Sequence, residues 1–427
     1  MYFLTIMDKL KNVLNQLQII MMIQEIKTCR ICNSSNLIEV VNLGSQSLTG
    51  VFPEISDEEI LCGPLAIVWC SSCDLVQLKH RYPPEKMYGE NYGYRSGLNA
   101  YMVEHLSQKA KYLTDFSDLG KGDAVLDIGS NDGTLLGSYQ ISGLARVGLD
   151  PTAEKFREHY DSAIEIIPDF FSASKVGNKK FKAISSISMF YDLDDPRLFV
   201  QEIKESLHPE GIWHFEQSYM PSMIRQISYD TICHEHVEYY SLTPVAKMLD
   251  EAGLRIIDIK MNSVNGGSFA VTASHSDAYL EIQCELLDWL LKRESRSGYS
   301  TPRPFREFER KIFEHRESLL SLIYKINDSG KTIHAYGAST KGNVLLQFCG
   351  LSAHEIPFAA EINPYKFGRF TPGSKIPIIS TKESLNMKPD YYLVLPWHFR
   401  EGIIKNEKEF LASGGKFIFP FPEIEIF

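Results

Sequence analysis

The chain has 427 residues, 44% of them hydrophobic and 23% charged, with a formal net charge of −10. At about 150 residues per domain that length holds two or three domains, and the composition excludes a wholly disordered or fibrous chain. The negative balance argues against broad binding to nucleic-acid phosphates, and 8 cysteines are too few for a disulfide scaffold.

Residues 1 to 28 are expected to form an amphipathic or unstructured lead-in, with Met21 or Met22 as alternative starts. Lys9 and Lys11 interrupt any apolar run and no small-residue cleavage site follows, so neither a signal peptide nor a membrane span is read there. A cytoplasmic protein with reduced thiols and no membrane partner is expected.

Five of the cysteines lie between Cys29 and Cys73. Cys29-Arg-Ile-Cys32 and Cys70-Ser-Ser-Cys73 are two C-x2-C knuckles, each able to turn two thiolates onto one ion. Four thiolates suit tetrahedral zinc and leave no position open for substrate, so the metal is read as structural. A reduced core cluster or a redox pair are the alternatives. Between the knuckles, Ile38 to Leu43, Leu65 to Cys70 and Leu75 to Leu78 read as a small sheet, and Cys62 as a buried spare thiol.

Residues 84 to 102 are rich in Tyr and Gly, with Tyr82, Tyr88, Tyr92, Tyr94 and Tyr101 close together. They read as a packed linker or as a lid offering hydroxyls to a polar ligand. A βα rhythm follows. Strands are expected at Ala124 to Ile128, Ala145 to Leu149, Phe181 to Ile187 and Gly211 to Phe215. Helices are expected from Thr134, over Lys155 to Tyr160 and over Pro196 to Leu207. A charged helical stretch from Ser276 to Asn327 comes next, anchored by Leu287, Leu290, Leu291, Phe305, Phe308, Ile312, Leu319, Leu320 and Ile323. The rhythm then resumes with strands at Thr332 to Tyr336, Phe358 to Glu361, Tyr391 to Leu395 and Lys416 to Phe419. Alternating strands and helices imply doubly wound parallel sheets.

Chemistry gathers in three stretches. In Val125-Leu-Asp-Ile-Gly-Ser-Asn-Asp-Gly-Thr134 a strand ends in a small-residue turn where Gly129 and Gly133 allow close backbone approach. Asp150, at the end of the next strand, can accept both hydroxyls of a ribose. Asp127 and Asp132 crowd that turn, which favours a cationic ligand such as S-adenosylmethionine over a pyrophosphate. An ordinary βα turn is the alternative. In Asp230-Thr-Ile-Cys-His-Glu-His-Val-Glu-Tyr-Tyr-Ser241, which gathers His234, Glu235, His236 and Glu238, a histidine reads as a general base with an adjacent carboxylate orienting it or raising its basicity; a metal site fits less well, because H-E-H is not H-E-x-x-H. A polar surface turn is the alternative. Tyr191, in a loop at a strand's C-terminal end, is expected to face the pocket, and Glu216 could add polar contacts. Asn262 to Ser268 reads as a tight turn. In Tyr336-Gly-Ala-Ser-Thr-Lys-Gly-Asn343 the loop carries Lys341 in place of acids, which suits a diphosphate, with Arg400 as a second cation. A solvated Lys341 is the alternative.

These motifs in this order resemble the S-adenosylmethionine-dependent nucleotide-sugar C-methyltransferases of deoxysugar biosynthesis. The resemblance rests on the paired C-x2-C segment, LDIGSNDG, CHEHVEYYS, NGGS, AYGASTKGN and PWHFREG, and runs from Cys29 to Phe427. It implies an α/β protein: a zinc-binding domain at residues 29–88, a Rossmann-like methyltransferase core at 89–255, and a C-terminal α/β domain with its helical connection at 256–427. It implies methylation at C3 of a thymidine-diphosphate-linked 4-keto-6-deoxyhexose. His236 with Glu235 would remove the C3 proton, and the enolate would attack the sulfonium methyl. Tyr94 and Tyr191 would hydrogen-bond the enolate oxygen or sugar hydroxyls. The expected cofactor set is Asp127, Gly129, Asn131, Gly133, Asp150 and Ser188; the substrate set is Lys341, Asn343, Arg400 and Asn265; the metal set is Cys29, Cys32, Cys70 and Cys73. Cys233 and Tyr191 depart from the Tyr and His that many members carry there. O- or N-methylation of another metabolite, or a non-catalytic zinc-containing binding protein, are the competing readings. A monomer or weak homodimer is expected.

Overall fold

The computed structural model describes residues 23–88, 94–281 and 284–427. Most of the expected lead-in, with Met21 and Met22, and Tyr92 lie outside the described residues. No helix among the described residues is long and apolar enough to cross a membrane.

The first unit is an antiparallel sheet of β1 (Leu37–Ser47), β2 (Cys62–Cys70) and β3 (Val76–Leu78). Its inward residues, among them Val41, Leu65, Ile67 and Trp69, are buried. The register pairs Leu37 with Cys70, which brings the second knuckle beside the first. Cys62 is exposed, contrary to the expected buried thiol. It stands at the frayed start of β2 opposite Ser47, where its sulfur meets the Ser45 hydroxyl at 3.3 Å.

The second unit starts with α1 (Ala100–Phe116), whose first turn is capped when Tyr101 N donates to the Asn99 side chain. It continues through β4 (Ala124–Ile128), β5 (Ala145–Leu149), β6 (Ile164–Ile167), β7 (Phe181–Ile187), α2 (Pro196–Ser206), β8 (Leu207–Ser218), β9 (Glu238–Tyr239), α3 (Leu242–Glu251), β10 (Leu254–Asn262) and β11 (Ser268–His275). Seven of these strands form one sheet in the order β10-β11-β8-β7-β4-β5-β6. β4 to β8 are parallel to their neighbours, and β11 runs antiparallel to both β8 and β10. Strands covered on both faces read as apolar runs, as Ala124–Ile128 does. β4 and β7 flank the point where the connections switch sides of the sheet, and a crevice opens there.

β9 belongs to neither neighbour in sequence. It pairs with β3 and becomes the fourth strand of the first unit's sheet. The first unit also shares its core: Trp69 packs on Phe305 with ring centroids 5.3 Å apart, while Cys29, Cys70 and Cys73 sit in the cluster that holds Phe215 and Tyr240.

Helices α4 (Leu286–Ser297) and α5 (Arg303–Asp328) lead to the third unit. Of the predicted anchors, Leu290, Phe305, Phe308, Ile312, Leu319 and Ile323 are buried. β12 (Ile333–Tyr336), α6 (Thr340–Phe348), β13 (Ala359–Glu361), β14 (Ile378–Ser380), β15 (Tyr391–Val394), β16 (Lys416–Phe419) and β17 (Glu425–Ile426) follow. Their sheet runs β14-β13-β12-β15-β16-β17, parallel except for β17. Its switch point lies between β12 and β15.

Two further readings of the sequence are corrected. Lys155 to Tyr160 forms turns and one 3-10 turn, Arg157–His159, instead of a helix. The Tyr160 hydroxyl donates to Asn131 O at 2.8 Å, which pulls the segment's end onto the glycine turn. The expected helix from Thr134 is present and ends at Gly137. The expected boundary at 255 falls inside β10: hydrogen bonding of β10 and β11 to the seven-stranded sheet carries the second unit to His275.

Candidate active site

A cavity of about 1730 Å3 lies between the two doubly wound units, and both switch-point crevices open into it. Clefts of this kind are where ligands meet converging polar groups.

The wall at β4 holds the glycine turn. Gly129 and Gly133 adopt φ of +77° and +76°, which a side chain would strain. Asp150 Oδ2 accepts Asn131 N at 2.9 Å, and its Oδ1 accepts Thr152 N and Oγ1, both at 2.6 Å. Asp127 accepts the Ser185 hydroxyl at 2.6 Å, and burial pushes its carboxyl up to about 7. Asp127, Gly129, Asn131, Asp150 and Ser188 line the cavity; Gly133 shapes the turn without lining it. Asp132 does not face the ligand space. It accepts Gly97 N at 2.8 Å and lies 3.5 Å from Arg95 Nε, so its charge fastens the Tyr94–Leu98 segment over the turn. Ser96 N and Asn131 Oδ1, at 2.9 Å, do the same.

The cavity floor holds the candidate base. Of residues 231–240, His236 alone is not fully buried, and it lines the cavity. Its Nδ1 pairs with Thr231 O at 2.8 Å. A carbonyl only accepts, so Nδ1 carries the proton and Nε2 keeps a free lone pair. Burial, then the Lys341 charge, pulls the imidazole down to about 3, so it is neutral near pH 7. The Tyr191 ring lies 4.3 Å from its centroid. The expectation that Glu235 orients this ring is corrected. Glu235 also lines the cavity, but its carboxylate accepts the Thr49 hydroxyl at 3.3 Å, while His236 Nδ1 is held by the Thr231 carbonyl. A Cβ at Gly50 would collide with the Glu235 carboxylate. Burial raises the Glu235 carboxyl. Tyr94 also lines the cavity, and the residue is 45% exposed.

The wall at β12 is charged differently. Lys341 Nζ donates to Asn265 O at 3.2 Å, and Asn265 Nδ2 donates to Ser188 Oγ at 3.2 Å, which links the two walls. Burial lowers the Lys341 ammonium, and Asp230 opposes that shift. Asn343 does not reach the cavity: its side chain is buried and donates to Thr49 O at 2.7 Å. Arg400 lines the cavity, yet its guanidinium is already met by Glu425 at 2.6 and 2.8 Å and lies over the Phe419 ring. Glu216 is withdrawn into a buried network with His105, Lys109 and Asn262.

Two wall residues went unread in the sequence. Glu361 accepts Ala338 N at 2.7 Å and Asn363 N at 2.9 Å, and Lys366 Nζ donates to Ala338 O at 2.7 Å. Glu361 was discoverable, since it ends the strand after a glycine turn as Asp150 does. The Thr231 carbonyl carries no sequence signal.

Away from the cavity, the four knuckle sulfurs all lie within 4.8 Å of one another, with Cys29–Cys73 and Cys32–Cys70 at 3.5 Å. Tetrahedral Zn–S bonds of about 2.3 Å require sulfurs about 3.8 Å apart, so the set fits zinc. Contact with Cys73, then amides of the knuckle and the Gln77 side chain, lowers the Cys29 thiol. The cavity also fits S-adenosylmethionine: no Lys or Arg of the described residues pairs with Asp127 or Asp150, which leaves two buried carboxylates for a cation and a ribose.

Three family models match in chain order. They are a zinc binding domain over residues 29–88, a methyltransferase domain over 100–259 and a C-methyltransferase C-terminal domain over 263–422. The C-methyltransferase NovU of Streptomyces niveus is 32% identical over 411 residues, 94% of this chain and 97% of that protein. Among solved structures, the mitomycin 7-O-methyltransferase MmcR shares 18% identity over 41% of this chain and 54% of its own, with a TM-score of 0.34. The magnesium protoporphyrin IX methyltransferase of Synechocystis PCC 6803 shares 13% over 41% and 79%, with a TM-score of 0.32.

Proposed function

This chain belongs to the C-methyltransferase family, S-adenosylmethionine-dependent enzymes with a zinc-binding N-terminal domain, and from that membership we propose that its acceptor is a nucleotide-linked 4-keto-6-deoxyhexose, methylated at C3. The observation that carries the reading is His236, a neutral imidazole that lines the large cavity with its Nε2 unclaimed by a hydrogen bond. Methylating carbon requires a carbon nucleophile, and a ketone beside C3 acidifies the proton that a base must take. His236 Nε2 takes that proton, and the Thr231 carbonyl steadies the imidazolium through Nδ1–H. Tyr191, against the imidazole, and Tyr94, on the cavity lining, offer hydroxyls to the enolate oxygen or to the sugar. Lys341 supplies a cation to the substrate's negative charge, close enough to His236 to lower its basicity.

S-Adenosylmethionine supplies the electrophilic sulfonium methyl. Asp150 is the residue for its ribose hydroxyls, Asp127 for its positive charge, and the Gly129 turn for close backbone approach. The nucleotide end of the sugar lies on the β12 wall, toward Glu361 and Lys366. Holding both reactants in one cavity removes much of the entropy cost of their encounter.

The test is incubation with a methyl-deuterated donor and a panel of 4-keto-6-deoxy sugar nucleotides, with the label located by NMR. Label at C3 is the expected result. No transfer across the panel, or equal transfer to sugars lacking the keto group, overturns the reading.

A further inference from the structure

Arg30 has no part in the metal set or in the proposed chemistry, yet its side chain is wholly buried. A buried guanidinium is costly unless it is paired. Its backbone is fixed by the knuckle itself. Asn33 N donates to Cys29 O at 3.0 Å, Arg30 N donates to Gln77 Oε1 at 3.1 Å, and Gln77 Nε2 donates to Cys29 Sγ at 3.2 Å. From there the guanidinium reaches away from the cysteines. Nη1 donates to Leu78 O at 2.7 Å, and Nε lies 3.4 Å from Asp194 and 3.8 Å from Glu238.

Those two carboxylates stand on the two segments that meet at His236. Glu238 follows His236 by two positions, is fully buried, and is the register partner of Gln77 across β3 and β9. Among the described residues, Arg30 is the one cation within ion-pair distance of it. Asp194 closes the loop that carries Tyr191. The same two segments are joined by Val237 N donating to Tyr191 O at 2.7 Å, and their rings touch at 4.3 Å. Arg30 is therefore a strut with one end set by the cysteine turn and the other hydrogen-bonded to Asp194 and within ion-pair distance of Glu238, one on each side of the Tyr191–His236 pair.

We infer that Arg30 is a positioning residue: it couples the zinc knuckle to the catalytic segment and holds the His236 ring so that Nε2 faces the cavity. The inference rests on the reading of His236 as the base. The zinc domain then serves the reaction from outside the cavity, which Arg30 does not line.

The test uses the full-length, zinc-loaded enzyme. A single Arg30→Ala change strands a buried carboxylate and can unfold the chain, so the main variant is Arg30→Met with Glu238→Gln, which removes both charges. Zinc content, affinity for S-adenosylhomocysteine, kcat and KM are measured. The histidine ring nitrogens are followed by 15N NMR, with the His236 signals assigned by their loss in His236→Asn. The expected result is full zinc, unchanged cofactor affinity and KM, moved His236 ring signals, and a kcat lowered about 10- to 100-fold. Arg30→Lys should restore part of that loss. Wild-type kcat with unmoved ring signals overturns the inference, even if the melting temperature falls. Loss of zinc in the double variant also overturns it, by assigning Arg30 to the metal fold alone. If the unaltered enzyme methylates no sugar nucleotide, the acceptor reading fails, and the ring signals alone decide the positioning of His236.

Discussion

At the end of β5, Asp150 accepts Asn131 N from one glycine turn; at the end of β13, Glu361 accepts Ala338 N from another. Each carboxylate also accepts an amide two positions downstream, from Thr152 and Asn363. The two crevices share a backbone device and face the same cavity, but their surroundings differ in charge. On the β4 side no Lys or Arg of the described residues pairs with Asp127 or Asp150, whereas the β12 side brings Lys341 and Lys366. A doubly wound sheet thus fixes where a ligand sits, and a few side chains decide which charge it carries.

The sharpest way to divide the two sides is to remove His236, the proposed base, which stands between them. His236→Asn should lower kcat by about 10²- to 10⁴-fold while calorimetry shows unchanged binding of both ligands. Retained turnover would dismiss the assigned base. Next comes a crossed pair. Asp150→Asn should weaken cofactor binding about tenfold and spare a nucleoside diphosphate, and Glu361→Gln should do the reverse. If either variant weakens both ligands alike, the crevices are not separate sites.

The pH dependence separates the walls further. Asp127 titrates near 7 in the folded chain and near 3.9 when unfolded, so the unfolded chain ionises first and this group costs stability increasingly between those values. A cationic cofactor favours the ionised form. Its affinity should therefore rise about tenfold from pH 5.5 to 7, and Asp127→Asn should flatten that rise. An equal slope in the variant would remove Asp127 from the cofactor site. His236 has the opposite shift: its folded value near 3 lies below the unfolded 6.5, so stability is lost as pH falls through that window. The smallest effect belongs to Arg400. Its partner Glu425 is half-exposed, so Arg400→Ala should cost less than about 1 kcal/mol in thermal melts and barely change nucleotide affinity. A large affinity loss would return Arg400 to the substrate wall.

Motifs with a fixed local geometry were legible. The strands Ala124–Ile128, Ala145–Leu149 and Phe181–Ile187 appear with the bounds that apolar runs and turn residues imply. The knuckle spacing named the four cysteines that the fold brings together. What depends on distant partners was not legible. Strand β9 is two residues long and exists because β3 offers it an edge. Asp132 reads as one of the acids crowding the turn, but in the fold its carboxylate is taken by Gly97 N of the Tyr94–Leu98 segment. Asn343 shares the first turn of α6 with Lys341, but Thr49, remote in sequence, claims its amide.

By itself the sequence determined the periodicity of the doubly wound sheets, the glycine turns with their carboxylates, and the cysteine quartet. Each is a short-range consequence of residue type and spacing. Only the tertiary structure decided that His236 is steadied by the Thr231 carbonyl instead of Glu235, that Arg400 is spent on Glu425, and that the first unit lends its sheet to the segment bearing His236. Those outcomes turn on which groups are buried together, because a buried donor or charge must find a partner wherever the fold supplies one.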